Sequence, residues 1–73
     1  MIMPEPTIAI TINGSTRQVA PGLTIPELLE SLGLDFRLVV VEHNRAILER
    51  ARLPEVEVKP GDNLEVVHFV GGG

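Results

Sequence analysis

The residues Thr7-Ile8-Ala9-Ile10-Thr11-Ile12 alternate polar or small with isoleucine. A period of two is the pattern of a strand with one buried face, here the face carrying the three isoleucines. Asn13-Gly14 follows, a pair that accepts the positive φ angles of a tight hairpin turn. Ser15 to Ala20 then reads as the returning strand with Val19 inward, closed by Pro21-Gly22. The period then changes. Thr24 can cap a helix, Glu27 three residues on completes a capping box, and Pro26 lies in the first turn, where its missing N–H costs little. Ile25, Leu28, Leu29 and Leu32 fall on one stripe, and Gly33 suits a left-handed stop. A helix of roughly ten residues is expected, near the usual length.

Leu38-Val39-Val40-Val41-Glu42 is too short and too β-branched for a helix and reads as a central strand. Asn44-Arg45 is a turn, and Ala46-Ile47-Leu48 a short fourth strand. Pro54 argues against regular structure over residues 50–55. Lys59-Pro60-Gly61-Asp62 has proline and glycine where a type II turn wants them. Asn63 to Val70 is the last strand, and Gly71-Gly72-Gly73 follows it. The element order is hairpin, helix, strand, short strand, strand. One helix covers one face of a mixed four- to five-stranded sheet and leaves the other wet. The expected fold is therefore α+β, a β-grasp, with a single domain over 1–70 and a flexible glycine tail over 71–73.

Side-chain parity predicts which residues face out. Glu65 is costly to bury unpaired, so Leu64 and Val66 point to the core while Val67 and Phe69 point outward. Glu42 likewise places Val40 and Leu38 outward, with Val39 and Val41 toward the helix. If the two strands are neighbours, Val40, Val67 and Phe69 form an apolar patch beside the tail, a candidate partner surface. Coverage of the patch by loops or by the N-terminal residues is the alternative.

Composition narrows the chemistry. The chain has 73 residues and no cysteine, which excludes disulfides, thiolate nucleophiles and iron–sulfur ligation. A net charge of −4, with Phe36 and Phe69 as the only aromatic residues, makes a poor nucleic-acid binder. No apolar stretch approaches the ~20 residues of a membrane span, and the first residues lack the pattern of a signal peptide. A cytoplasmic monomer is expected. His43 and His68 have no partners at metal or catalytic spacing, so neither is assigned a role, and no bound cofactor or metal is expected. Asp62 is explained by turn chemistry, and Glu27, Glu30, Glu49 and Glu55 by a solvated surface.

That leaves the glycines. A frayed end is one explanation. The other starts from the strand running straight into them, so that a narrow arm without side chains projects from a rigid platform. Such an arm can thread a tunnel into another protein's active site. With no side chain forming a reaction centre, the terminal carboxylate is the natural chemical handle. Carboxylates resist nucleophiles until activated; ATP activates one as an acyl adenylate, and sulfide delivered to that carbonyl gives a thiocarboxylate.

The closing Val66-Val67-His68-Phe69-Val70-Gly71-Gly72-Gly73, preceded by Pro60-Gly61-Asp62, resembles the ThiS family of thiamine-biosynthesis sulfur carriers. The Asn13-Gly14 hairpin and the Thr24-to-Leu32 helix sit where that family has them, whereas Arg45 stands where it often has glycine. The resemblance runs from about Thr7 to Gly73. It implies a carrier protein rather than an enzyme. The Gly73 carboxylate would be adenylated by a ThiF-type enzyme using ATP. Sulfur from a donor such as a cysteine desulfurase system would make the thiocarboxylate, which thiazole synthase (ThiG) would consume. Gly72 and Gly73 match the diglycine motif proper, and Gly71 extends its reach. Two alternatives stay open: a MoaD-type carrier subunit of molybdopterin synthase, usually longer and with a different approach to its Gly-Gly, and a non-covalent β-grasp interaction module.

Overall fold

The computed structural model describes residues 6–68. Five strands, β1 (Ile8–Ile12), β2 (Ser15–Val19), β3 (Val39–His43), β4 (Ala46–Leu48) and β5 (Asn63–His68), form one sheet in the order β2-β1-β5-β3-β4. β1 and β5 run parallel at the centre, and every other pairing is antiparallel. One helix, α1 (Ile25–Ser31), crosses a single face of the sheet. This is the β-grasp arrangement expected from the element order.

Local sequence accounts for most elements. Asn13 and Gly14 both have positive φ, 48° and 82°, the conformation of a two-residue hairpin turn whose twist matches the strands it joins. Asn44 and Arg45 repeat it at 50° and 73°. Both halves of the capping box at Thr24 and Glu27 are formed. α1 is seven residues long, shorter than the sequence predicts, because Leu32 is already its C-cap and Gly33 turns left-handed at φ 78°. Leu32 still packs against the core from that position.

The core lies between α1 and the sheet. Ile25, Leu28 and Leu29 have no exposed surface and meet Ile10 and Ile12 of β1, Val39 and Val41 of β3, and Leu64 and Val66 of β5. Each such aliphatic side chain contributes about 1.5–3 kcal/mol by leaving water. The parity expected for β3 and β5 is the observed one.

Two segments differ from expectation. Residues Arg50–Glu55, expected to be irregular, form a 3₁₀ helix with Pro54 inside it. Proline's fixed φ suits 3₁₀ geometry, and the turn inserts Leu53 (1% exposed) into the core. Next to it, backbone bonds from Ile25 N to Val56 O and from Val58 N to Leu23 O stitch 56–58 to the approach of α1 and bury Val58. Leu38, expected within the central strand, belongs to a 3₁₀ turn, Phe36–Leu38, whose N-cap is Asp35. The central strand starts at Val39 and extends through His43. The predicted continuation of β5 to Val70, the end of the domain at residue 70 and the tail over 71–73 lie outside the described residues.

Candidate functional site

β5 is the central element that leads toward the glycines, so its C-terminal half is the platform for any chemistry at the tail. Three elements hold that half. β3 pairs with it on one side, with Val41 opposite Val66 and Val40 opposite Val67. On the other side the β1 ladder closes at Ile12 and Leu64, with Asn13 N donating to Leu64 O at 2.9 Å. There the Asn13 side chain takes over the ladder. Its Oδ1 accepts from Val66 N at 2.7 Å, and its Nδ2 donates to Val66 O at 3.1 Å. Val66 thus has both backbone groups bonded by a side chain 53 positions earlier in the chain. From above, Val66 packs beneath the helix as part of the buried core.

The outward face carries the predicted apolar residues. Val67 is 59% exposed and lies directly opposite the half-buried Val40. Those two members of the expected patch are therefore brought together. Phe69, the third, lies outside the described residues, as do Gly71, Gly72 and Gly73. Two exposed side chains add to the apolar surface: Leu38 ahead of β3, and Ile47, 70% exposed on β4 opposite Glu42. Ile47 was not foreseen, because a three-residue strand gives too little alternation to assign a face. On the helix side, a cleft between the end of α1 at Ser31 and Leu32 and the strand residues Arg17 and His68 opens beside the same end of β5.

The opposite end of β5 has a polar anchor that sequence reasoning missed. Asp62, only 7% exposed, accepts from Lys59 N at 2.9 Å and from Asn44 Nδ2 at 3.2 Å, and lies 2.8 Å from His43 Nε2. Asn44 in turn accepts from Asn63 N at 2.8 Å. Burial pushes the Asp62 carboxyl up, but the bonds from Lys59 N–H, His43 and Asn44 outweigh it, and its pKa lies below the ordinary aspartate value. Turn chemistry explains the bond to Lys59, but the other partners come from the β3–β4 turn. The cluster braces two turns against each other. The ring nitrogen of His43 that bonds Asp62 is engaged in that brace rather than with a nucleophile. His68 is exposed, as expected. Among the described residues no group of three or more His, Asp or Glu is placed to hold a metal ion, and no helix is long and apolar enough to cross a membrane.

A family model described as the ThiS family matches residues 10–73. The sulfur carrier protein ThiS of Bacillus subtilis is 48% identical over 50 residues, which are 68% of this chain and 76% of that protein. A thiazole synthase of Paramagnetospirillum magneticum is 42% identical over 64 residues, 88% of this chain. The chain spans only 20% of that much longer relative. The crystal structure of the thiamine biosynthesis protein ThiS of Geobacter metallireducens superposes with a TM-score of 0.79 at 38% identity, covering 90% of this chain and all of the other. The family match takes in both hairpin turns, the helix, the Val40 and Val67 pair and the three final glycines, and on that ground the chain belongs to the ThiS family.

Proposed function

We infer that this protein is a sulfur carrier of thiamine biosynthesis, a substrate and sulfur donor rather than a catalyst, with Gly73 as its reactive residue. The observation that carries the reading is the family match over residues 10–73, which takes in Gly73. The Gly73 carboxylate attacks the α-phosphate of ATP on an adenylating enzyme of the ThiF type. Pyrophosphate leaves and an acyl adenylate remains. Sulfide attacks the acyl carbon, and AMP departs with the bonding electron pair; where a cysteine desulfurase system is the donor, a thiol reductant supplies the two electrons that bring its persulfide sulfur to the sulfide level. The product is a C-terminal thiocarboxylate. Thiazole synthase takes the sulfur, an oxygen from water or from the sulfur acceptor replaces it on the acyl carbon as the C–S bond breaks, and the carboxylate returns.

The chain's own part in this is mechanical. Asn13 and β3 clamp β5 at Val66, which holds in place the strand that leads toward the glycines. Gly71 and Gly72 offer no side chain to obstruct a narrow channel. Val40 and Val67 supply the docking surface, and the alternation of the sequence assigns Phe69 to the same partner contact. The two thiazole synthases that contain a region similar to this chain support thiazole synthase as a partner, since joining two components in one polypeptide raises their effective concentration.

The test is the intact mass of the protein after incubation with ATP, sulfide and the adenylating enzyme of the same organism. A gain equal to exchange of one oxygen for sulfur, mapped to the C-terminal peptide and lost when Gly73 is deleted, is expected. No gain, with an adenylating enzyme active on another carrier, overturns the reading. The same spectrum of the untreated protein checks that the chain ends in a free Gly73 carboxylate.

A further inference from the structure

The helix-free face of the sheet holds a charge arrangement that local folding does not explain. Strand alternation places Ala9 and Thr11 of β1, Thr16 and Gln18 of β2, Asn63 of β5 and Ile47 of β4 on this face, with Val40, Glu42, Glu65 and Val67 at its centre. The register sets Glu42 of β3 directly opposite Glu65 of β5. Like charges facing each other across a strand pair are destabilising, and Glu42 is also half-buried. Among the described residues no strand position on this face is a lysine or an arginine. Among the described residues neither glutamate has an ion-pair partner, whereas Asp35, Glu55 and Glu57 each have one.

The neighbours of the pair are apolar. Ile47 lies beside Glu42 on β4, and the row formed by Val40 and Val67 runs alongside, one step nearer the tail. A bare metal cation prefers oxygen ligands on several sides, which this flat face does not provide. A guanidinium or ammonium at the end of an aliphatic stem fits both halves. Its head group meets the two carboxylates, and its stem lies on the valines and isoleucine.

We propose that Glu42 and Glu65 form, with Val40, Val67 and Ile47, the receptor for an arginine or lysine side chain presented by thiazole synthase when it docks on this face. The inference rests on the sulfur-carrier reading and assigns a polar centre to its apolar docking surface. The mutual repulsion of the glutamates is relieved only in the complex, which makes the pair a device for partner choice as well as affinity.

The test uses the full chain and thiazole synthase of the same organism, with affinity measured by calorimetry at low and high salt. Glu65→Gln and Glu42→Gln are each expected to weaken binding by about fivefold or more and to flatten its salt dependence, while raising the melting temperature of the isolated carrier. Glu30→Gln, on the solvent side of α1, removes the same net charge at a distance and is expected to leave affinity unchanged. Two outcomes overturn the inference while the carrier reading stands: wild-type affinity in both sheet variants, or an equal loss in Glu30→Gln. A wild-type carrier that does not bind thiazole synthase at all overturns the inference, and the mass measurement above then decides whether the carrier chemistry survives it.

Discussion

Asn13 and Val66 are joined by two hydrogen bonds in which a side-chain amide stands in for strand backbone, Oδ1 accepting from Val66 N and Nδ2 donating to Val66 O. The same residue turns the first hairpin with φ 48°. These two duties can be separated. Asn13→Gly keeps the turn, since glycine adopts positive φ freely, but removes both bonds. It is expected to lower unfolding free energy by about 1–3 kcal/mol, read from the urea midpoint. If the proposed function holds, it also slows thiocarboxylate formation by loosening the base of the arm. A variant as stable as wild type would show that the bonds to Val66 contribute nothing beyond what water supplies.

Arg45 occupies the left-handed region at φ 73°, next to Asn44 at 50°. A non-glycine residue there costs roughly 1–2 kcal/mol, which glycine avoids while adding some entropy to the unfolded chain. Arg45→Gly is therefore expected to stabilise the protein by about 0.5–1 kcal/mol, seen as a higher melting temperature. Asn44→Gly in the same turn should do the opposite, because it discards the bonds to Asp62 and Asn63.

The Asp62 carboxylate has a folded-state pKa below its unfolded value of about 3.8. A depressed pKa contributes stability that is complete above the unfolded value and is lost as pH falls through the folded one. The Asp62 contribution should therefore hold at neutral pH and disappear on the acid side of pH 3.8. Asp62→Asn should cost about 1–3 kcal/mol at pH 7 and show a shallower acid limb than wild type. Urea midpoints across an acid pH series measure both effects.

Val66 and Val67 are consecutive, yet Val66 is 8% exposed and Val67 59%. Truncation at each should report on a different property. Val66→Ala should cost roughly 1–3 kcal/mol of stability. Val67→Ala should stay within about 0.5 kcal/mol of wild type. If the outward face is the docking surface, Val67→Ala should nonetheless weaken association with the partner enzymes. An unchanged affinity would remove Val67 from that surface.

The local pattern of the chain determined a good deal. Alternating isoleucines, the Asn-Gly turn and the Thr24–Glu27 box each act within a few residues, and β1, the first hairpin turn and the start of α1 stand where that chemistry puts them. The faces of β3 and β5 were legible because Glu42 and Glu65 cannot share a face with the core. Other features had no local signature. Leu53 and Val58 enter the core only because α1 and its approach leave space that the 50–58 segment fills. Pro54, read alone, argued against the 3₁₀ turn that contains it. Asp62 reads as an ordinary turn residue until the β3–β4 turn arrives with His43 and Asn44. Asn13 and Val66, or Glu42 and Glu65, become neighbours only when β5 is laid between β1 and β3. Turn, cap and period are set by the energetics of adjacent residues. Which distant amide completes a strand, and which two carboxylates are forced together, is decided by strand order and register, which belong to the assembled sheet.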